Sequence, residues 1–250
     1  MHSADTIVLP VCNARTPKLG PTAILVAAEA DLQALQKRMS LPDKRQLYMS
    51  RVLFNAADPQ SPALVGPMMG APYATMLLEI VHAWGVRRAL FLGWCGSINP
   101  KLKTGDLVLP DGALVDEGTS LHYGKTSGAQ VRPDRGLQID LNNALAQRRI
   151  DVRPALVWTT DAVFRETRAK VATFQERGAH AVEMELSALF SVAEFHAFAV
   201  SALLAVSDEL HTFHWRPGFK DERFSGARAL VADFIADHLT QSETWKSITS

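Results

Sequence analysis

The sequence has little of what marks several classes of protein. It contains only two cysteines among 250 residues, Cys12 and Cys95, whereas a disulfide-stapled secreted scaffold needs more cysteines in a much shorter chain. No window approaches about 18 uninterrupted apolar residues, and Met1–Val11 lacks the basic start and apolar core of a signal peptide. We therefore expect a cytoplasmic protein that is not exported and has no membrane partner.

An excess of charge of one sign is also missing. The chain carries 26 Lys and Arg against 26 Asp and Glu, so its formal net charge is 0. Without a global positive field, we expect no binding of nucleic acid or of an anionic membrane. Hydrophobic residues make up 47% of the chain and the charged residues form no long run. Such a chain can offset the entropy of ordering, which predicts a compact globular protein.

Strand-like and helix-like segments alternate along the chain. The apolar runs are mostly continuous, which is typical of strands buried on both faces, so the pattern predicts an α/β protein with a largely parallel or mixed sheet and helices on both sides. The predicted strands are Ala23–Ala28, Ala63–Val65, Ala89–Leu92, Leu107–Leu109, Ala155–Trp158 and Ala199–Val206. The predicted helices are Asp31–Met39, Ala71–Trp84, Gly136–Gln147, Arg168–Gln175, Met184–Phe195 and Ser225–His238. No repeat or linker divides the chain, so residues 1–250 are expected to form a single domain.

The ends of the predicted strands carry the residues with chemical potential, because open α/β sheets bind ligands beyond the carboxyl ends of their strands. After the strand at Ala89–Leu92 come Gly93, Gly96 and Ser97. Two glycines so close allow backbone amides to approach a ligand and form an anion or hydroxyl nest. The spacing is not the dinucleotide fingerprint, however, so a tight structural turn is the simpler interpretation.

Two further segments place acids at strand or helix ends. Glu183 and Glu185 open a helical stretch, where the helix dipole favours each acid by roughly 0.3 to 1 kcal/mol. Alternatively, a carboxylate in an apolar neighbourhood accepts both hydroxyls of a diol. Asp208 ends an apolar strand, where partial burial would raise its pKa and suit it to general acid catalysis. A capping or turn role for Asp208 is nearly as well supported by the pattern.

Taken together, these segments resemble the nucleoside phosphorylase superfamily, which holds purine and uridine phosphorylases and related nucleosidases. GPMMGAP from Gly66 resembles the glycine-methionine-glycine turn of the family. GWCGSINPKLKTGDLVLPDGALVDEGTSLHY, Gly93 to Tyr123, resembles its glycine-rich strand end and hairpin, and is most like the uridine phosphorylase branch. VEMELSAL from Val182 and the strand ending in Ser207-Asp208 complete the order.

The resemblance spans most of the chain and implies a fold, an activity and partners. The fold would be a phosphorylase-like three-layer α/β/α sandwich with a mixed central sheet. The protein would be a homo-oligomeric enzyme that cleaves the N-glycosidic bond of a ribonucleoside, with phosphate or water as second substrate and without a cofactor. A catalytically silent nucleoside-binding or assembly protein of the same fold is the alternative.

The resemblance also implies roles for the sugar-binding and base-binding residues. Glu185 would hold the ribose 2′ and 3′ hydroxyls, Glu183 would lie at the same substrate site, and Met184 and Met69 would pack against the sugar. The base would be addressed by Asp208, which in the purine branch protonates the departing ring nitrogen.

The resemblance leaves the base preference open. Two residues before the VEME segment, Phe164 and Arg165, bear on it. Phe164 would lie near the base. The uridine branch reads its base with a Gln and an Arg in this segment, and here only Arg165 offers anything comparable.

The phosphate-binding pattern of the family is altered. Ala27–Leu32 stands where phosphorylases carry a Gly-Asp-Pro-x-x-Arg turn, Phe91 replaces a second arginine, and Trp94 replaces a hydroxyl residue. By their place in the resemblance, Phe91, Gly93 and Trp94 are expected to contact the substrate. A dianionic phosphate removed from water needs charge-assisted donors, which Phe and Trp do not supply. Hydrolysis is therefore slightly favoured over phosphorolysis. The remaining phosphate ligands would be Arg45 of a neighbouring subunit and the backbone around Gly96 and Ser97.

Water would need a base in place of the phosphate. The nucleosidases of the superfamily use an acid on the helix after the first strand, and Glu29 and Asp31 occupy that neighbourhood. Which of the two points inward is left open, and both also suit an ordinary helix N-terminus. His211 and His214 alone are weak grounds for a metal site, so none is predicted.

Overall fold

The computed structural model describes residues 6–241 of the chain. Residues 1–5 and 242–250, the two ends of the predicted single domain, lie outside this range. Every helix within the described range is too short or too polar to span a membrane.

The described residues form strands and helices that alternate through most of the chain. The strands are β1 (Thr22–Val26), β2 (Asp43–Leu47), β3 (Ser50–Phe54), β4 (Ala63–Gly66), β5 (Arg88–Ser97), β6 (Leu107–Asp116), β7 (Gln130–Val131), β8 (Arg153–Thr160), β9 (Ala179–Glu183), β10 (Ala199–Glu209) and β11 (Arg216–Pro217). The helices are α1 (Glu29–Gln36), α2 (Ala71–Ala83), α3 (Arg135–Gln147), α4 (Arg168–Glu176), α5 (Leu186–His196) and α6 (Glu222–Gln241). Each predicted strand and helix is found, with shifted ends.

One mixed sheet of 11 strands organises the described chain, in the order β11-β10-β6-β8-β9-β5-β1-β4-β3-β2, with β7 paired to β6. β5 is parallel to β1 and also to β10, and antiparallel to β9. Because β5 pairs with β10 as well as with β9, strands β5, β9, β8, β6 and β10 close into a ring at one end of the sheet. The predicted α/β fold with a mixed central sheet is confirmed, and this closure adds to it.

Two of the three apolar cores in the described chain lie on opposite faces of the sheet. Along β5, Ala89 and Phe91 belong to the core that packs against α2 and α5, whereas Leu90 and Leu92 belong to the core under α1, α3 and α6. Successive side chains of a strand point to opposite faces, so a continuous apolar run serves both cores at once. This is why the central strands could be identified from continuous apolar runs.

The strands that the apolar pattern missed lie at the margins of the sheet or carry polar residues. β2 has the sequence DKRQL and three consecutive exposed residues, and it forms the outermost strand after β3. An exposed edge strand with charged side chains resists pairing with other chains, and it has no apolar run to mark it. β9 is short and includes His180 between buried alanines.

The predicted turn at Gly93, Gly96 and Ser97 is wrong. These residues continue β5 to its end at Ser97, because β10 pairs alongside through Glu209. Gly93 lies inside the strand, where a Cβ would come within 2.5 Å of a ring carbon of Phe91. Glycine is therefore required at position 93 by the packing of Phe91.

Phe91 lies in the core and not at a ligand site. Its side chain is fully buried, with 0% exposure, on the face of β5 that packs under α2 and α5. The prediction that Phe91 contacts substrate is therefore wrong. The residue that stands in place of a family arginine instead fills interior volume.

We predict that Phe91→Ala lowers the free energy of unfolding by about 3–5 kcal/mol, because it leaves a cavity in a closely packed core. Urea unfolding followed by circular dichroism measures the loss, with Phe91→Leu as the control that keeps most of the volume. A loss below about 1 kcal/mol for the alanine variant would contradict the core assignment.

Candidate active site

A cavity of about 450 Å³ opens at the end of the sheet where β1, β4, β9 and β10 terminate, beside the last residues of β5. The 3-10 helix Val163–Arg165 and the segment after β10 complete its wall. The lining residues are Ala27, Ala28, Met68, Met69, Trp94, Cys95, Gly96, Val163, Phe164, Glu166, Val182, Glu183, Met184, Glu185, Ser207, Asp208, Leu210, Trp215 and Phe219. Most of these are apolar or aromatic, and the acids stand out among them.

Glu183 is a buried acid that fixes the start of α5. Its Oε2 accepts hydrogen bonds from the backbone amides of Glu185 and Leu186, each at 2.7 Å, and its Oε1 accepts one from the Thr159 hydroxyl. The first amides of a helix have no partner within the helix, so a carboxylate at this position stabilises the helix start. The predicted helix therefore begins at Leu186, and Glu183 belongs to the end of β9.

Because α5 begins at Leu186, Glu185 lies at the N-cap position just before the helix. Its side chain is buried and reaches the cavity, where its Oε1 accepts a hydrogen bond of 2.6 Å from the backbone amide of Gly70, after β4. Burial raises the pKa of Glu185. Burial and the charge of Glu185 also raise the pKa of Glu183, although the Thr159 hydroxyl and the two amides oppose that rise. The two carboxyls therefore titrate as a coupled pair that resists carrying two full charges in the apolar wall.

Asp208 lies across the cavity, near the end of β10. Its Oδ2 accepts a hydrogen bond of 2.8 Å from the Trp215 indole, and the Ser207 hydroxyl lies 2.6 Å from its Oδ1. Asp208 is thus held by side-chain donors within a strand, and the capping alternative is wrong. A Cβ on Gly96 would come within 3.1 Å of Asp208 Oδ2, so the glycine allows this close approach.

Glu166 is a cavity residue that the sequence reasoning missed. It follows the 3-10 helix Val163–Arg165 and lines the same cavity as Asp208. Burial raises the pKa of Glu166 to about 7, and the charge of Asp208 contributes to the rise. The available signal was an acid directly after Phe164 and Arg165, residues that the base-binding hypothesis had already singled out. Arg165 itself does not line the cavity, and its role at the base stays a prediction.

Trp94 lines the cavity, and contacts on the side away from the cavity hold its indole in place. Its Nε1 donates to Asp31 Oδ2 at 2.6 Å, and the other oxygen of Asp31 accepts from Arg228 Nε at 2.6 Å. The Arg228 guanidinium lies 4.9 Å from the centre of the Trp94 ring, which is the geometry of a cation–π contact. The carboxylate of Asp31 is therefore engaged by two donors outside the cavity wall.

Neither acid predicted to activate water reaches the cavity. Glu29 forms two hydrogen bonds of 2.8 Å with Arg51 and accepts another from Gln33. The Arg51 guanidinium lowers the pKa of Glu29. Neither Glu29 nor Asp31 is among the residues that line the cavity. Neither side chain therefore points inward.

Of the remaining residues predicted at the site, some line the cavity and others do not. Met184, Met69 and Phe164 line the cavity, with Phe164 95% exposed at its rim. Gly93 is enclosed in β5, and the buried Ser97 hydroxyl is directed to the carbonyls of Asn99 and Leu102, so neither lines the cavity.

Charge is distributed unevenly around the cavity. Glu166, Glu183, Glu185 and Asp208 line it, whereas none of its lining residues within 6–241 is Arg, Lys or His. Arg45 lies on the edge strand β2 and donates to the carbonyl of Arg15, away from the cavity of its own chain. Over the same range, no three His, Cys, Asp or Glu side chains group in a way that could hold a metal ion.

Comparison with known proteins assigns this chain to a family. The family model described as "Phosphorylase superfamily" matches residues 21–241. A purine nucleoside phosphorylase of the DeoD type from Clostridium novyi is 25% identical over 151 residues, which are 59% of this chain and 64% of that protein. The match therefore spans less than two thirds of that relative.

Two solved structures share the fold. The purine nucleoside phosphorylase of Toxoplasma gondii in complex with immucillin-H has a TM-score of 0.76 and 16% identity, and the match covers 91% of this chain and 95% of that one. The 5′-methylthioadenosine/S-adenosyl homocysteine nucleosidase of Campylobacter jejuni has a TM-score of 0.73 and 22% identity, covering 87% and 97%. The likeness to the uridine branch stays a prediction.

We predict that Glu183→Ala lowers the free energy of unfolding by about 2–4 kcal/mol, because it leaves the amides of Glu185 and Leu186 and the Thr159 hydroxyl buried without an acceptor. Glu183→Gln is the control, since its amide oxygen can still accept from the two backbone amides. Chemical unfolding of the two variants measures the difference. Equal stability of the alanine and glutamine variants would contradict the capping role.

Proposed function

The chain belongs to the phosphorylase superfamily, and from this premise we propose that it cleaves the N-glycosidic bond of a ribonucleoside with water as the second substrate. The observation that carries the choice of water is the charge of the cavity: four acids line it, and no cationic side chain does within residues 6–241. The family contains both phosphorylases and nucleosidases, so membership alone does not distinguish phosphate from water as the second substrate. The residues that line the cavity are therefore the basis of the choice.

The sugar end of the site is formed by Glu185. Its carboxylate is held by the Gly70 amide and reaches the cavity between Met68, Met69 and Met184. An ionised carboxylate accepts two hydroxyl hydrogen bonds, which suits the vicinal 2′ and 3′ hydroxyls of ribose. A bound diol also supplies donors that favour the ionised form of a carboxyl whose pKa burial raises.

The base end is formed by Asp208 and the aromatic rim. The Trp215 indole and the Ser207 hydroxyl hold the Asp208 carboxyl in place. The rings of Phe164, Trp215 and Phe219 can cover a planar base. As the glycosidic bond breaks, the base gains negative charge, and Asp208 would stabilise it by giving or sharing a proton.

Among the described residues of one chain, no cationic side chain lines the cavity to hold a phosphate dianion. The guanidinium behind Trp94, that of Arg228, is already paired with Asp31 and lies over the Trp94 ring. Burying a dianion beside four acids without a cation would cost several kcal/mol, on the order of the penalty for an unpaired buried charge. Water makes no such demand, and an oxocarbenium-like transition state accepts a weak nucleophile. The predicted proton acceptors Glu29 and Asp31 have no part in this proposal, because both are paired outside the cavity.

We predict that Glu185→Gln lowers kcat/KM for a cleaved ribonucleoside by about 10- to 100-fold, since hydrogen bonds to an ionised group are worth about 1.5–3 kcal/mol. Glu29→Gln is the control, because Glu29 lies outside the cavity and its loss should leave kcat/KM within about twofold. Steady-state assays of released base measure both. Equal losses in the two variants would remove the diol assignment.

We predict that Asp208→Asn lowers kcat for a purine ribonucleoside by about 10²- to 10⁴-fold, which is the range of general acid catalysis. The asparagine keeps an acceptor for the Trp215 indole, so the melting temperature should change little. Kinetic assays together with thermal unfolding separate the two effects. A variant that turns over like the wild type would make Asp208 a structural residue.

The nature of the second substrate is tested by product analysis. Adenosine, inosine, guanosine and uridine are incubated with the protein, with and without phosphate. We expect free ribose at the same rate in both conditions. Strict dependence on phosphate, with ribose 1-phosphate as product, would overturn hydrolysis and direct attention to Arg45 of the predicted neighbouring subunit. Failure to release base from any nucleoside would favour the silent binding or assembly protein.

A further inference from the structure

Glu166 is the one acid of the cavity whose carboxylate receives no hydrogen bond and forms no ion pair within the described part of the chain. Each of the other three is held by donors: Glu183 by two amides and a hydroxyl, Glu185 by the Gly70 amide, and Asp208 by Trp215 and Ser207. Glu166 lines the cavity all the same. Its carboxylate is therefore available to a ligand without breaking any contact within the protein.

The surroundings of Glu166 disfavour its ionised form. It is half-buried, and the charge of Asp208 acts on it across the cavity, so burial and repulsion both raise the pKa of Glu166. An unpaired acid in such a place lowers stability unless something compensates for it. A ligand group that donates a hydrogen bond to Glu166 would relieve both the desolvation and the repulsion.

The neighbouring acid determines which ligand group this is. Asp208 is placed to address the ring nitrogen of the departing base, so Glu166 would meet a group on the same edge of that base. In a 6-aminopurine, the exocyclic amino group lies beside ring nitrogen N7 on one edge. With N7 protonated or hydrogen-bonded by Asp208, this edge offers the adjacent acid an N–H donor. A 6-oxopurine offers an acceptor there, and an unsubstituted purine offers neither.

We propose that Glu166 is a specificity-determining residue that accepts a hydrogen bond from an exocyclic amino group of the base, and so selects 6-aminopurine nucleosides. This inference rests on the proposed function, because it assigns the base end of that same site. A site built to hydrogen-bond one substrate group discriminates strongly against analogues that lack it, since its own buried polar group is then left unpaired.

Binding of free bases tests the proposal independently of the second substrate. Calorimetric titration of the wild-type protein with adenine, hypoxanthine and purine should show that adenine binds at least tenfold more tightly than either analogue. In Glu166→Met, which has no acceptor, this preference should fall below about threefold. In Glu166→Gln, whose amide oxygen still accepts a hydrogen bond, part of the preference should return. Glu176→Gln, on the exposed end of α4, is the matched control and should bind like the wild type.

Two results would overturn the role of Glu166: no preference for adenine in the wild type, or an undiminished preference in Glu166→Met. Assays of nucleoside cleavage on the same preparations separate this failure from that of the proposed function. A wild-type protein that cleaves adenosine while Glu166→Met keeps the preference contradicts this inference alone. A protein that shows the predicted binding pattern yet releases no base contradicts the hydrolytic function alone.

Discussion

Glu183 decides where α5 begins, because its carboxylate accepts hydrogen bonds of 2.7 Å from the backbone amides of Glu185 and Leu186. That choice places Glu185 one position before the helix, with its side chain directed to the cavity and to the Gly70 amide. Two acids separated by a single methionine thus have different tasks. One stabilises the backbone, and the other is presented to a ligand. Glu185 keeps a non-helical φ of −132° as a result.

The acidic character of the cavity results from the positions of the ion pairs around it. Outside its wall, acids and guanidinium groups neutralise one another: Glu29 pairs with Arg51, and Asp31 with Arg228. Inside the wall, acids stand without cations, and backbone amides, hydroxyls and an indole are their only donors within residues 6–241. A site of this kind suits a neutral substrate rich in hydroxyl and amino donors, and it suits a reaction in which positive charge develops on the sugar.

The central part of the fold could be predicted from the sequence, because strands such as β1 and β5 are buried on both faces and their continuous apolar runs cannot lie elsewhere. The edge strand β2 could not, because its sequence DKRQL has three consecutive exposed polar residues and no apolar run. At the site, Glu185 and Asp208 were placed in the cavity by their motifs. Whether Glu29 or Asp31 reaches it depends on partners distant in sequence, Arg51 and Arg228, which spacing along the chain does not reveal. Glu166 was missed for a related reason, since only the closure of the sheet brings its loop opposite β10.

The indole of Trp215 connects the base end of the cavity to an optical signal. Its ring is 63% exposed at the rim, and its N–H is bonded to the Asp208 carboxyl. The emission of an indole depends on the water around its ring and on the charge next to its nitrogen. A base that displaces solvent from Trp215 and changes the protonation of Asp208 alters both surroundings together. With a base bound as proposed, the emission of Trp215 would report occupancy of the cavity, and the time course of binding could be followed without a label.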